Sequence, residues 1–299
     1  MSGDRGDAPD VFARIRERCA EVMRRARCVR IDASGVDAWA SQLAAEPPPA
    51  ASLDPRHHHF GTPESTLAFV LTLDTINFGS GYFPHLRKRP GLSGYFTIAT
   101  ALKERFDDRG AWTAPELCEM EPADMARALG QDLDQPDVAE LMTLFARALR
   151  DLGGFLVERY AGRFEGPLEE AAGSAARLVG VLTAMPYFRD VSTYDGIEVP
   201  FYKRAQLLCA DLDLALGPRA GVRFDDLDRL TSFADNLVPH VLRCDGVLVY
   251  APDLCRRIDA GERIAAGSRE EVEIRAGGVH AVEEIIRAGA RRGARWSAR

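Results

Sequence analysis

Apolar residues return at helical spacing from one end of the chain to the other. Val11, Phe12, Ile15, Cys19, Val22 and Met23 define one face of an early helix, and Leu141, Leu144, Phe145, Ala148, Leu149 and Leu152 define a longer one near the middle. Helix starts are marked between such runs. Thr62-Pro63-Glu64 opens "TLAFVLTLDTINF", with proline in the first turn, where its missing N–H leaves no bond unmade. Ser268 and Glu271 form a capping box that opens "EEVEIRAGGVHAVEEIIRAG", and Pro239 predicts a further helix beginning just before it. The period changes in "RDVSTYDGIEVPFY" (189–202), where Asp195-Gly196 supplies turn chemistry between β-rich flanks, so a hairpin is expected there, feeding a helix from about Tyr202 to Leu216. The predicted fold is mainly α, with this small β-hairpin. Without repeats, heptads or a long Ser/Gly linker, residues 1–286 read as a single helical body and 287–299 as a basic C-terminal tail.

Composition fits that picture and narrows it. At 299 residues, 46% hydrophobic and 28% charged, the chain is long enough for a sizeable core. Its longest apolar runs, "TLAFVLTL" (66–73) and "VLVYA" (247–251), fall far short of the ~20 residues that cross a bilayer, so no membrane partner is expected. The start, "MSGDRGDAPD", lacks the basic and apolar regions of a secretory signal, and six scattered cysteines suit reduced thiols; both point to the cytoplasm. Net charge is −7, and setting aside the five arginines of the acid-free tail leaves −12 on residues 1–286. A body that acidic is a poor surface for duplex nucleic acid.

Four stretches hold candidate chemistry. "DPRHHHFG" (54–61) sets His57, His58 and His59 side by side, but neighbours on an extended chain point to opposite faces and no further ligand motif is near, so a metal site is not expected. One histidine facing a pocket is the better reading. "LDTINFGSGYFP" (73–84) puts Asp74 and Asn77 near a helix end, with Gly79-Ser80-Gly81 as a stop; an acid among "VLTLDTINF" should be buried and needs partners. "FYKRAQLLCADLDLAL" (201–216) carries Lys203, Arg204 and Gln206 in the first turn of a helix, where cations oppose the macrodipole and call for a compensating anion, either a nearby acid or a ligand. In "LTSFADNLVPHVLR" (230–243), Asp235 stands close to a helix start, where a carboxylate serves equally as cap or as reagent.

Together, "LDTINF", "FYKRAQLLCADL", "LTSFADNLVPHVLR" with "GVLVY" after it, and "GSREEVEIRA" resemble the queuosine salvage protein family, described as queuosine 5′-phosphate N-glycosidases. The resemblance runs from about His57 to Glu284. It implies a fold like that of helix-hairpin-helix DNA glycosylases and release of the 7-deazaguanine base queuine from its nucleotide for reuse in tRNA modification. It implies that Asp235 is the catalytic aspartate, with Phe233 beside the base, Lys203 near the phosphate or the catalytic centre, and His59 contacting the base. Asp74, Asn77, Phe78, Tyr82, Arg204, Asp211, His240 and Arg243 complete the expected substrate-binding set. Two departures stand out. Where many members have Asn-Phe, then Cys or Ser, then Phe-Trp, this chain has "NFGSGYFP", so Tyr82 or Phe83 takes over the aromatic wall. The chain also ends without the Asp-Tyr stretch and further Asp that recognise the base, leaving Asp74, Asp211 and Glu273 as acids able to substitute. The partner implied is a small-molecule nucleotide; no cofactor or metal is expected. The alternative is a catalytically inactive nucleotide- or base-binding protein of the same fold. A DNA-repair glycosylase is opposed by the acidic body.

Overall fold

The computed structural model describes residues 10–47, 49–220 and 222–298; the polar start at residues 1–9 lies outside them. The described residues are mainly helical, with two separate two-stranded antiparallel sheets among them. No helix among the described residues is long and apolar enough to cross a membrane. Contacts divide the chain into two compact units, and both are built from non-contiguous segments. The first comprises residues 1–49, 190–203 and 226–299; the second comprises 50–189 and 204–225.

The first unit is organised on the Arg269–Arg291 helix. Ser268 caps it by accepting from the Glu271 N–H at 3.3 Å, as its sequence predicts, while the Glu271 carboxylate reaches back to the Gly267 N–H at 3.1 Å. The Val11–Arg25 helix buries Phe12, Ile15, Cys19 and Val22, the predicted face, and packs against this long helix. The hairpin forms with strands Val191–Tyr194 and Ile197–Pro200. Its turn is of the predicted kind, with left-handed backbone at both Asp195 (φ 43°) and Gly196 (φ 81°). The second sheet, Val29–Ile31 paired with Leu248–Tyr250, was not legible, because three-residue strands offer too little alternation to register. Two glycines let elements close in on the long helix. A Cβ at Gly277 would crowd Val29 and Leu248, and one at Gly278 would sit 2.9 Å from Pro239, so Gly278 admits the Leu237–Cys244 helix to close range. The long helix runs on into the basic stretch as far as Arg291, and the ring of Trp296 lies where a Cβ of Gly289 would be.

Among its described residues the second unit forms helices and no strands. Its Pro63–Thr75 helix buries every residue from Thr66 to Thr75, so it is a core helix enclosed on all sides rather than an amphipathic one. That helix ends earlier than the glycines suggest: Ile76 caps it, and Gly79 (φ 80°) instead starts a 3-10 turn, Ser80–His85. The Pro136–Tyr160 helix buries Leu141, Phe145, Ala148, Leu149 and Leu152, while Leu144 is half-buried. The helix after the hairpin spans Lys203–Ala220, four residues longer at its C-terminus than expected.

Candidate functional site

Lys203, Phe233, Asp235, His240 and Arg243 belong to the first unit; His59, Asp74, Asn77, Phe78, Tyr82, Arg204 and Asp211 belong to the second.

In the first unit one ion pair holds the motifs together. The carbonyl of Asp190 accepts from the Phe201 N–H at 2.9 Å and the Tyr202 N–H at 3.2 Å, and its Oδ2 accepts from the Lys203 N–H at 3.1 Å. Three consecutive amides thus point at one residue, which holds Tyr202 in the left-handed region (φ 47°), a conformation uncommon for a side chain of this size. This is also how the basic helix start is compensated: Asp190 supplies the negative charge at the first N–H groups. Arg275 grips the Asp190 carboxylate at both oxygens, 2.9 and 2.5 Å, with its Cζ 4.0 Å from the Phe201 ring centre. Burial opposes the Arg275 charge, but the Asp190 carboxylate outweighs it and raises the guanidinium above its ordinary value. Arg275 Nη1 also reaches the Glu271 carboxylate at 3.4 Å, and Nε bonds the carbonyl of Ala234 at 3.0 Å, one residue before Asp235.

Asp235 is half-buried and stands one residue before the N-cap position, Asn236, with its side chain on the first helix amides. Its Oδ1 accepts from the Leu237 N–H at 2.9 Å and the Val238 N–H at 3.1 Å; Oδ2 takes part in neither bond. Phe233 beside it is half-buried. His240 is exposed, with Nε2 3.7 Å from the Cys244 thiol. Arg243 bonds Asp259 at 2.7 Å and lies over the Tyr250 ring, and both contacts keep its own value above that of an ordinary arginine. Glu273, a sequence candidate for base recognition, is fully buried and structural. Its Oε2 accepts from the amides of Arg27, Cys28 and Val29 at 2.6–3.1 Å, and its Oε1 from the Tyr194 hydroxyl at 2.7 Å. Burial and that carboxylate push the Tyr194 hydroxyl up to about 12.

In the second unit Phe78 stacks on Tyr187, centroids 5.3 Å apart at 26°, and the Arg204 guanidinium lies 4.6 Å from the Phe78 ring and 5.7 Å from Tyr187. Asp74 is buried at the end of the core helix, with Asn77 Nδ2 donating to it at 3.4 Å, and Asp211 is buried too. Both acids act on the Tyr95 hydroxyl, which burial first and their charges next raise far above its ordinary value. Tyr82, half-buried, sits in the 3-10 turn with its N–H on the Gly79 carbonyl. Tyr187 and Tyr95 had no motif to announce them; they join this cluster through tertiary packing alone.

The three histidines separate, for a reason other than strand alternation: residues 55–57 form a turn in which Asp54 accepts the amides of both His57 and His58. His57 bonds Thr100, and buried His58 bonds the Tyr95 hydroxyl at 3.0 Å, with burial lowering its value. His59 has both nitrogens engaged within its unit, Nδ1 with Asp107 at 2.6 Å and Nε2 with Ser65 at 3.1 Å. Desolvation works against the Asp107 charge, yet bonds from Lys103 and His59 hold that carboxyl below its usual value. Among the described residues no three His, Cys, Asp or Glu side chains are grouped so as to hold a metal.

The first unit thus presents a carboxylate at a helix start with one oxygen outside its two amide bonds, and the second unit separately presents stacked rings under a guanidinium and two buried acids. The chain belongs to the queuosine salvage protein family, whose profile matches residues 57–297. It is 39% identical over 295 residues to a Sphaerobacter thermophilus protein named queuosine 5′-phosphate N-glycosylase/hydrolase, covering 97% of this chain and 89% of that one. Proteins of the same name from Bos taurus (32% over 241 residues, 78% and 69% covered) and Dictyostelium discoideum (34% over 224 residues, 74% and 66% covered) are also similar.

Proposed function

We propose that this protein is an N-glycosidase that hydrolyses queuosine 5′-monophosphate, or a closely related 7-deazapurine nucleotide, and releases the free base for salvage. The observation that carries this reading is the Asp235 carboxylate, anchored through one oxygen in the Phe-Ala-Asp motif of a family member. As the base leaves, positive charge builds on the sugar, and a carboxylate held beneath the anomeric carbon stabilises it. The anchored oxygen fixes direction, and the other is the one assigned to the sugar. A 7-deazapurine has no N7 to protonate, so the leaving base needs hydrogen bonds at other atoms, and binding is part of the chemistry. Lys203 is assigned to the phosphate, and Phe233, His240 and Arg243 to substrate binding. For the base we assign Phe78, Tyr82 and Arg204, which offer stacking faces, and His59, Asp74, Asn77 and Asp211, which offer polar groups. A small nucleotide is the partner, without duplex nucleic acid, and the setting is the cytoplasm, as the scattered cysteines suggest.

The test is incubation with queuosine 5′-phosphate beside a panel of other nucleoside 5′-monophosphates, with free base measured by mass spectrometry. Release from the 7-deazapurine nucleotide in preference to the panel is the expected result. Absence of release from any of them would overturn the proposal.

A further inference from the structure

We propose that the Arg275–Asp190 ion pair is a positioning device for catalysis, holding the Asp235 motif and the Lys203 helix start in one frame; the proposal rests on the assignment of Asp235 as the reacting carboxylate. Three motifs far apart in sequence meet in this pair. Arg275 ends the Glu271-Val272-Glu273-Ile274-Arg275 run, Asp190 bonds the amides that lead into Lys203, and the Ala234 carbonyl lies next to Asp235.

The guanidinium is used in full by this geometry. Two of its nitrogens clamp one carboxylate while the third, Nε, reaches a carbonyl in a different segment, and its face rests on Phe201. A lysine ammonium has no flat face and cannot span both partners in that fixed fork. Nor is stability a sufficient reason for the pair. Both side chains are largely buried, 14% and 19% exposed, and a buried ion pair often contributes no more to folding than well-packed apolar residues would. What apolar residues could not do is fix the Ala234 peptide, and hence the exit direction of Asp235, while also keeping Tyr202 left-handed so that Lys203 begins its helix on an anchored amide. Reacting groups misplaced by a fraction of an ångström lose rate with little loss of binding.

The experiment compares the parent with Asp190→Asn, Arg275→Lys and Phe201→Leu. Single-turnover and steady-state base release from queuosine 5′-phosphate are measured well below each melting temperature and expressed per folded molecule. Asp190→Asn and Arg275→Lys should lower kcat by about ten- to a hundredfold with KM held within about threefold. The double variant should be no slower than the slower single one, since both changes break the same link. Phe201→Leu keeps both charges and removes only the surface under the guanidinium, so it remains informative if a charge variant does not fold; it should lower kcat by about three- to tenfold. Variants that melt earlier yet release base at the parent rate per folded molecule would show a purely structural pair and overturn the inference. A parent that releases no base brings down the glycosidase reading and this inference with it; an active parent with unimpaired variants brings down this inference alone.

Discussion

Two aspartates in the first unit hold the amides two and three residues ahead at helix starts, Asp32 as the N-cap itself and Asp235 one residue before the N-cap Asn236. Asp32 accepts at Oδ1 from the amides two and three residues ahead, Ser34 and Gly35, both at 3.1 Å; Asp235 accepts at Oδ1 from Leu237 and Val238 at 2.9 and 3.1 Å. The difference lies in the rest of the carboxylate. Asp32 also takes the Ser34 hydroxyl, and its Oδ2 faces the Arg30 guanidinium at 3.3 Å, so both oxygens are spoken for. The Ser34 hydroxyl, the Gly35 amide and Arg30 hold it down to about 2. At Asp235 the capping bonds stop at one oxygen, and the peptide before it is tied to Arg275 instead. Capping and reacting are therefore not rival roles. A cap fixes one oxygen, and whether the residue can react depends on what is done with the other.

The largest effect expected from this comparison is that of Asp235→Asn. Asparagine caps about as well as aspartate, so melting should be unchanged, but it brings no full negative charge to a developing oxocarbenium ion. A loss of roughly a thousandfold in single-turnover base release, about 4 kcal/mol of barrier, is expected with nucleotide binding retained. Undiminished release would return Asp235 to the rank of Asp32. Glu273 sharpens the contrast from the opposite side, as a carboxylate with both oxygens consumed by structure. Glu273→Ala strands three amides and a tyrosine hydroxyl in the interior, which should cost about 3 kcal/mol or more in urea unfolding. Base release per folded molecule should stay at the parent level; a selective loss of activity would mean that Glu273 does more than hold the amides of residues 27–29.

That contrast also shows what the sequence could tell. Spacing and caps were enough for the Thr62 and Ser268 helix starts, the Asp195-Gly196 hairpin and the helix near Pro239, because each depends on residues within four positions of one another. The Val29–Ile31 and Leu248–Tyr250 pairing spans more than two hundred residues and rests on three-residue strands, so nothing local announced it. The site divides along the same line. Asp235 and Lys203 are proposed from motifs visible in the chain, and the ambiguity of Asp235 was real, since its side chain does take helix-start amides. The partners that arrange them, Asp190 and Arg275, were both present in quoted stretches, yet an ion pair between residues 85 positions apart leaves no spacing to read. Buried acids could not be told apart for a related reason. Glu273 and Asp74 look alike as carboxyls in apolar runs, and only the fold reveals that Glu273 is enclosed by backbone amides.

A smaller effect belongs to Lys203, whose amide is anchored on Asp190 and whose side chain is assigned to the phosphate. A charged hydrogen bond is worth about 1.5–3 kcal/mol, so Lys203→Ala should lower kcat/KM on the 5′-monophosphate by roughly ten- to a hundredfold. The free nucleoside serves as the control: it lacks the phosphate, and its already lower efficiency should change little. Equal losses on both would move Lys203 from the phosphate to the reacting centre beside Asp235, and equal activity of the parent on both would remove the phosphate assignment.

The smallest effect is the control on which the comparison depends, Asp32→Asn. At neutral pH the capping bonds survive the substitution, so base release should match the parent, while melting falls modestly because the charge held by Ser34, Gly35 and Arg30 is gone. The difference in stability should narrow in acid, and its sign follows from the lowered carboxyl. A group whose value is depressed on folding contributes stability above its ordinary carboxylate range and loses it as pH falls through the folded value, here about 2. Asparagine has no proton to take up, so urea midpoints measured from neutral pH down toward that value should fall less steeply in the variant than in the parent. Identical slopes would mean that Ser34, Gly35 and Arg30 do not hold the charge as the geometry indicates. A large loss of base release in Asp32→Asn would do more damage: the same substitution at an ordinary cap would then cost activity without touching a reacting group, and the thousandfold effect expected at Asp235 could no longer be credited to its second oxygen.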